Sequence, residues 1–343
     1  MSRDLLVVGG GTAGLVSART AAGFGARVLL VERERTGGDC LWTGCIPSKA
    51  ILAAASRAAY ARTSSRLGVL VSGVSVDFAR VMDGVRSAIR TIEPVDSPES
   101  LEAAGVRVES GDLTFTGRHS AVIDGRPVEF HQAIICSGSS PAMPPIPGLA
   151  EASPLTSDSV WGLATLPERL AILGGGSIAC ELGQALARLG STVTIVEGAE
   201  RILTQEEPQA ASIVTEALTR DGVTFHTGTP AVEVKSALGC GVLVLENGST
   251  VDFDQLLVSV GRVPRTQELG LEKAGVALDE HGYVRVDNHL RTTNASIWAA
   301  GDVTGHAQFT HTAGVNGSLA ASNAILGLRR RVDTTTIPRV TFT

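Results

Sequence analysis

Two cysteines five positions apart are the residues of this sequence best placed for redox chemistry. Cys40 and Cys45 lie within the segment 37–50, which reads GGDCLWTGCIPSKA. Five residues of an ideal helix rise about 7.5 Å, which is too far for an undistorted disulfide. Gly44 can supply the irregular backbone that brings the two sulfur atoms together. The spacing therefore permits a redox-active pair.

The residues that follow the second cysteine predict a helix that would activate it. Pro47 is suited to a first helical turn, and the pattern continues as helix over 50–61. The field at the start of a helix favours the thiolate form of a nearby cysteine, and Lys49 adds positive charge. Two alternatives remain open. One is a metal site, although no second Cys/His pair stands at ligand spacing, and the other is a pair of cysteines that only pack. We expect redox chemistry and no metal ligands.

A glycine-rich turn is the first of two segments suited to a dinucleotide. Gly9, Gly11 and Gly14 have the GxGxxG spacing and lie between an apolar, strand-like run and a helix-like stretch. Glu32 ends the next predicted strand, 23 positions after Gly9. Glycine lets the backbone approach a pyrophosphate, a helix N-terminus stabilises its charge, and the acid accepts hydrogen bonds from ribose.

The same pattern occurs again 165 residues later. Gly174, Gly176 and Ala179 repeat the spacing with alanine in third place, and Glu197 ends the next predicted strand. One such motif is a weak signal, whereas two copies with strand, turn, helix, strand and acid in the same order are a strong one. The alternative, two α/β domains that bind nothing, remains open. We expect two dinucleotide sites.

Composition narrows the class of protein. The 343 residues are too many for one ordinary core, and 43% hydrophobic with 19% charged residues excludes a disordered chain. A net charge of −6 without a basic block argues against a nucleic-acid partner. No run of about 18 apolar residues is free of charge, which argues against a membrane span. Because there is no signal peptide and the 5 cysteines are an odd number, we expect a cytoplasmic protein without a disulfide framework.

Two segments mark boundaries along the chain. The first is 141–148, which contains four prolines and follows the predicted strand 132–136. The second lies near 259–264, after another predicted strand. A later strand within 296–302 runs into a glycine and an acid. The pattern predicts domains that are joined by short, stiff connections.

From residue 4 to its end, the chain resembles the pyridine nucleotide–disulfide oxidoreductases, the family of lipoamide dehydrogenase, glutathione reductase and mercuric reductase. The segment 37–50 is similar to their redox-active signature. The resemblance implies an α/β fold of two Rossmann-like domains, with the nicotinamide domain inserted in the FAD domain. It implies the following division: FAD domain, first segment, 1–147; NAD(P) domain, 148–262; FAD domain, second segment, 263–335; start of a C-terminal dimerisation domain, 336–343.

The resemblance also implies roles for single residues. Cys40 matches the thiol that meets the substrate, and Cys45 matches the thiol that contacts the flavin. Lys49 and Glu181 match an ion pair beside the reactive flavin nitrogen, and Asp302 matches an acid of the flavin site. The first glycine turn would bind FAD, and the second would bind the nicotinamide cofactor. The other cofactor-binding residues that the resemblance implies are Gly38, Ser137, Gly138, Gly261 and Gly301.

The implied activity is hydride transfer from NAD(P)H through FAD to a Cys40–Cys45 disulfide, then to a small disulfide or a metal ion, or the reverse from a dithiol to NAD. We expect NADH to be preferred over NADPH, because Glu197 would repel a 2′-phosphate, although Arg201 lies nearby. Two alternatives remain open: a flavoprotein that reduces quinone, oxygen or peroxide, and a nucleotide-binding redox module without turnover.

In the family that the chain resembles, a C-terminal domain forms a homodimer and supplies a histidine–glutamate pair to the partner's cysteines. The sequence ends at 338–343, which resembles the first strand of that domain, and no HPxxxE segment occurs. We therefore expect the complete protein to be a homodimer. We also expect the 343-residue chain to reduce artificial dyes but to turn over disulfides at least about a hundredfold more slowly than an extended form.

Overall fold

A computed structural model describes residues 3–237 and 240–343. The strands are β1 (Arg3–Val8), β2 (Val28–Glu32), β3 (Val106–Ser110), β4 (Leu113–Gly117), β5 (Ser120–Ile123), β6 (Arg126–Ile135), β7 (Ser139–Pro141), β8 (Arg169–Leu173), β9 (Thr192–Glu197), β10 (Thr224–Thr227), β11 (Ala231–Ala237), β12 (Cys240–Leu245), β13 (Thr250–Phe253), β14 (Gln255–Val258), β15 (Arg262–Pro264) and β16 (Ile297–Ala299). The α-helices are α1 (Thr12–Gly23), α2 (Gly38–Trp42), α3 (Cys45–Thr63), α4 (Phe78–Ile92), α5 (Pro98–Ala103), α6 (Ser177–Leu189), α7 (Pro208–Arg220) and α8 (Thr310–Leu326).

The chain forms two compact units. Unit 1 comprises the residues up to Trp42 together with Arg90–Ser140 and Val263–Pro338. Unit 2 comprises Thr43–Ile89, Pro141–Arg262 and Arg339–Thr343. These units are defined by internal contacts, and they place 43–89 with the second unit. The FAD and NAD(P) domains that the sequence suggests are defined by the cofactor each would bind, not by contacts, and their boundaries stay a prediction.

Unit 1 is built on a mostly parallel sheet in the order β3-β2-β1-β6, with β16 also beside β6 and a β4-β5 meander continuing from β6. The central strand β1 is a continuous apolar run, as is typical of a strand covered on both faces. Leu5 and Val7 pack with α1 and α8, whereas Leu6 and Val8 pack with the meander on the opposite face. The carboxyl end of β1 therefore leads directly into the first glycine turn.

Unit 2 repeats this plan around the parallel sheet β10-β9-β8-β14. Leu170 and Ile172 of β8 pack with α3, α4, α6 and α7. Ala171 and Leu173 face the antiparallel sheet β11-β12-β13. Both units are thus Rossmann-like, and the main segment of unit 2 is inserted in unit 1. The predicted fold class is confirmed.

Local elements follow the predicted pattern with small differences at their ends. The helix expected over 50–61 runs over Cys45–Thr63, because Pro47 is accommodated in its first turn. The short helix α2 was not expected from the sequence. Among the described residues, every helix is too short or too polar to cross a membrane.

Candidate active site

The first glycine turn leaves the start of α1 without a side-chain cap. Gly11 is the N-cap residue, with φ −76° and ψ −177°, and it has no side chain that could accept a hydrogen bond from the first turn. N–H groups at the start of a helix have no partner within the helix, so they can bind an anion. A Cβ at Gly14 would collide with the carbonyl oxygen of Gly9, which explains why this close packing of helix and strand needs glycine.

A second close contact between glycines lies at the same turn. A Cβ at Gly38 would lie 2.5 Å from the Cα of Gly11, and Gly38 has φ +58°. The backbone that precedes Cys40 therefore approaches the glycine turn more closely than any other residue type would allow. The two glycines thus pack backbone against backbone, which a side chain at Gly38 would prevent.

Glu32 is fixed at the end of β2 by two backbone donors. Its Oε2 accepts a hydrogen bond from the N–H of Gly10 at 2.5 Å, and its Oε1 accepts one from the N–H of Glu34 at 2.9 Å. These bonds hold the carboxylate at the edge of the first glycine turn.

The second glycine turn repeats this geometry in unit 2. Glu197 accepts hydrogen bonds from the N–H of Gly175 at 2.6 Å and from that of Ala199 at 2.8 Å. Gly176 caps α6 with φ −76° and ψ −175°, again without a side-chain cap. Ala179, which replaces the third glycine, is fully buried on α6. The sequence repeat is thus a structural repeat down to the hydrogen bonds of its acids.

Arg201, the cation nearest to this acid in the sequence, is bound to the backbone. Its guanidinium donates hydrogen bonds to the carbonyl oxygens of Leu203 at 2.6 Å, Thr204 at 3.0 Å and Glu206 at 2.9 Å. The side chain therefore braces the loop over residues 202–206, and these contacts engage both terminal nitrogens of its guanidinium.

The two cysteines stand on separate helices. Cys40 lies in α2, and Cys45 is the first residue of α3, with Gly44 as the intervening N-cap residue. The helix is interrupted where the sequence required irregular backbone. Both thiols are half-buried. The first residue of a helix lies in the field that favours a thiolate, so Cys45 has the expected environment.

The other two thiols of interest are unlike this pair. Cys136, at the end of β6, and Cys180, on α6, are buried. Burial raises the pKa of each thiol to about 12. A hydrogen bond with Ser17 acts in the opposite direction on Cys136, and the nearby charge of Glu181 raises the pKa of Cys180 further.

Lys49 and Glu181 form an ion pair within unit 2. The Lys49 Nζ lies 2.7 Å from Oε2 of Glu181. Lys49 is in the second turn of α3, and Glu181 is on α6, so the packing of these two helices brings the residues together. The Glu181 side chain is 9% exposed and that of Lys49 is 41% exposed.

The remaining predicted residues of unit 1 lie on two segments, 137–138 and 301–302. Gly301 has φ +80°, and Asp302 begins a short 3₁₀ helix. Its Oδ2 accepts a hydrogen bond from the hydroxyl of Ser139 at 2.7 Å. Ser137, by contrast, donates its hydroxyl to the carbonyl oxygen of Arg265 at 2.7 Å. Two further predicted glycines have positive φ, Gly138 in unit 1 and Gly261 in unit 2.

Sequence reasoning missed three contributors to these sites. Ser139 was not singled out, although it adjoins the predicted pair 137–138. The indole of Trp161 donates a hydrogen bond to the carbonyl oxygen of Thr43 at 2.9 Å, beside Gly44. The third is Phe342, whose N–H donates to Oε1 of Glu181. Only Ser139 had a sequence signal, its position after the glycine motif.

Comparison with sequence families gives one match over most of the chain. The model of the family described as pyridine nucleotide-disulphide oxidoreductase matches residues 3–317. A mercuric reductase of Staphylococcus aureus is 35% identical over 99% of this chain and 63% of its own length. A dihydrolipoyl dehydrogenase of Chlamydia muridarum is 34% identical over 99% of this chain and 74% of its own length. The chain thus spans less than two thirds of the first of these relatives.

A solved structure has the same fold. The HOCl-induced flavoprotein disulfide reductase RclA from Escherichia coli matches with a TM-score of 0.85 and 29% identity, over 96% of this chain and 72% of that one.

Proposed function

Because the chain belongs to the pyridine nucleotide-disulphide oxidoreductase family, we propose that it carries two electrons from NAD(P)H through FAD to a Cys40–Cys45 disulfide and on to an acceptor. The observation that supports this best is the placement of Cys45, Lys49 and Glu181. The thiol begins α3, and the next turn of the same helix carries the lysine that contacts Glu181 at 2.7 Å. A reactive thiol and a fixed charge pair on one helix are suited to redox chemistry.

The residues of unit 1 fit FAD. The start of α1, which has glycine as its N-cap residue and no side-chain cap, offers N–H groups to a pyrophosphate, and the absence of side chains at Gly11 and Gly38 leaves the backbone there uncovered. Glu32 would accept hydrogen bonds from the adenosine ribose, and Asp302 would bind on the ribityl or pyrophosphate side. Three buried polar atoms near or after Asp302 in sequence have no hydrogen-bond partner among the described residues: Nδ1 of His306, Oγ1 of Thr312 and Nδ2 of Asn316.

When bound, FAD would supply the hydride chemistry that links NAD(P)H to the Cys40–Cys45 disulfide. Reduction of the disulfide to two thiols takes up two electrons and two protons, which the hydride of the nicotinamide and one solvent proton together supply. The N-terminus of α3 stabilises the Cys45 thiolate. The Lys49–Glu181 pair keeps a positive charge at one fixed position on the second turn of α3.

The dithiol can pass its electrons on by exchange. The Cys40 thiolate attacks one sulfur of a substrate disulfide, and the other sulfur leaves as a thiolate that takes up a proton. Cys45 then attacks Cys40 in the mixed disulfide, which restores the Cys40–Cys45 bond and releases the second product thiol. Two thiolates are also ligands that a soft metal ion prefers. We therefore propose a small disulfide or a metal ion as the electron acceptor. The names of the relatives include both classes. With a dithiol substrate, the electrons would instead pass from the dithiol to NAD.

We propose that NADH is the preferred donor. Glu197 is held at the edge of the second glycine turn, where it would accept a hydrogen bond from a ribose 2′-hydroxyl and repel a 2′-phosphate. The guanidinium of Arg201, which could bind such a phosphate, is occupied by the carbonyls of the loop over 202–206. A homodimer and a cytoplasmic location stay predictions from the resemblance.

The proposal is tested by reconstitution and turnover. The purified chain is titrated with FAD and with FMN, and NADH oxidation is then followed with a small disulfide, with Hg²⁺ and with a quinone. We expect FAD to bind in preference to FMN, and a disulfide, at the low rate expected of this chain, or Hg²⁺ to sustain oxidation only while Cys40 and Cys45 are intact. Quinone turnover that survives Cys40→Ser and Cys45→Ser, without disulfide or Hg²⁺ turnover, would support a flavoprotein that does not use its thiols.

A further inference from the structure

The segment Arg339–Thr343 belongs to unit 2 by its contacts and contributes a residue to the Lys49–Glu181 pair. Phe342 touches both partners. Its main-chain N–H donates a hydrogen bond to Oε1 of Glu181 at 3.1 Å. Its ring lies against the ammonium of Lys49, with the Nζ 4.5 Å from the ring centroid.

These contacts complement the ion pair without competing with it. Lys49 binds Oε2 of Glu181, and Phe342 binds Oε1, so both carboxylate oxygens have a donor. A carboxylate with both oxygens held keeps one orientation, and the lysine that contacts it is restricted accordingly. The ring face adds an electrostatic attraction for the ammonium that a leucine of similar size would lack.

The segment is anchored independently of the pair. The Nε of Arg339 lies 3.1 Å from Oε1 of Glu206, and its Nη2 lies 2.7 Å from Oε1 of Gln205. These two acceptors stand at the loop that Arg201 braces through its carbonyls. The backbone of Phe342 is thus fixed relative to unit 2 by a second set of contacts three residues away.

We propose that Phe342 is a positioning residue, whose N–H orients the Glu181 carboxylate and whose ring fixes the Lys49 ammonium. Its effect on flavin reduction rests on the function proposed above, whereas its effect on the geometry of the pair does not. Lys49 remains 41% exposed and Phe342 46% exposed, so the ring can be changed without opening a core.

The reactivity of Lys49 provides a test that needs no turnover. The chain contains three lysines, Lys49, Lys235 and Lys273, so acylation of each is resolved by peptide mass spectrometry. Since the ring lies against the ammonium and shields it on that side, Phe342→Leu should make acylation of Lys49 about two- to fivefold faster. Phe342→Tyr keeps the ring and should react like the unmodified chain. Lys235, which pairs with Glu233 at 3.2 Å, should not change in any variant.

Hydrogen exchange tests the other contact. The amide of Phe342 should exchange about fivefold faster in Glu181→Ala, which removes its acceptor, whereas Glu181→Gln retains a carbonyl oxygen and the protection. For the acylation test described above, Phe24→Leu is the matched control for Phe342→Leu. It replaces an exposed phenylalanine of unit 1 and should leave the acylation of Lys49 unchanged.

Stopped-flow reduction of the flavin by saturating NADH gives the functional consequence. We expect Phe342→Leu to lower the first-order rate about two- to fivefold and Phe342→Tyr to restore it. Equal Lys49 acylation in the unmodified chain and Phe342→Leu, or a Phe342→Tyr variant that behaves like Phe342→Leu, would overturn the proposal. If the unmodified chain is not reduced by NADH, the proposed function fails, and the acylation rates still decide the role of Phe342.

Discussion

The Lys49 ammonium lies 2.7 Å from Oε2 of Glu181, although the two residues are 132 positions apart in the sequence. The pair is asymmetric, because the glutamate side chain is 9% exposed and that of the lysine is 41% exposed. The carboxylate has lost most of its water and depends on its two donors, whereas the ammonium is still solvated on one side. Removing Lys49 should therefore affect stability differently from removing Glu181.

The asymmetry leads to a stability prediction. Lys49→Met leaves the nearly buried Glu181 carboxylate with only the N–H of Phe342, and should cost about 1–3 kcal/mol of the free energy of unfolding. The double variant Lys49→Met/Glu181→Gln carries no unpaired charge and should be more stable than Lys49→Met alone. Urea unfolding measures both. Lys235→Met, which breaks an exposed pair, is the control and should change stability by less than about 1 kcal/mol.

The donor preference can be reversed in part at one residue. Glu197→Ser removes the charge that would repel a 2′-phosphate but keeps a group that can bind a hydroxyl or a phosphate. We expect the unmodified chain to be reduced by NADH at least about tenfold more efficiently than by NADPH, and the variant to narrow that ratio to a few-fold. Glu200→Ser, at an exposed neighbour, should leave it unchanged. A clear NADPH preference of the unmodified chain would contradict the role proposed for Glu197.

The buried thiols should be inert in the folded chain. With a pKa of about 12, Cys136 and Cys180 are about 10⁻⁴ thiolate at pH 8, and this fraction rises about tenfold with each pH unit. Iodoacetamide applied to the reduced protein should therefore label Cys40 and Cys45 long before the other two. Peptide mass spectrometry reads out each site. Rapid labelling of Cys180 at pH 8 would mean that α6 opens far more readily than its packing suggests.

Single substitutions should separate the two redox thiols. In Cys40→Ser, the remaining Cys45 thiolate should retain the long-wavelength absorption that a thiolate gives beside a flavin, while exchange with disulfides is lost. In Cys45→Ser that band should be absent from the reduced enzyme. Absorption spectra of both variants, with the flavin content matched, make the comparison. Identical spectra would contradict the assignment of Cys45 to the flavin side.

Features formed by residues close together in the sequence, and those that occur twice, could be predicted from the sequence. The glycine turns and their acids could be predicted because each motif lies within about 25 residues, and the hydrogen bonds of Glu32 and Glu197 are formed within those motifs. The break at Gly44 could be predicted for the same reason, since it follows from the spacing of two cysteines along a helix.

Contacts made by the backbone or over long separations could not be predicted in this way. Phe342 reaches Glu181 through its N–H, a group that nearly every residue has, so its identity carries no signal. The sequence places Arg201 near Glu197, but it does not show that the guanidinium binds the carbonyl oxygens of the following loop. Trp161 reaches Thr43 across 118 positions, and nothing in its neighbours indicates that partner.

The central claim is that NADH reduces the pair Cys40 and Cys45, and anaerobic titration with thiol counting tests it most directly. The oxidised, FAD-loaded chain is mixed with increasing NADH, quenched with an alkylating reagent and analysed by peptide mass spectrometry. The account predicts that neither cysteine is alkylated before NADH is added and that both become alkylated together with the first equivalent. If the flavin is fully reduced while Cys40 and Cys45 are still not alkylated, the result would contradict the central claim.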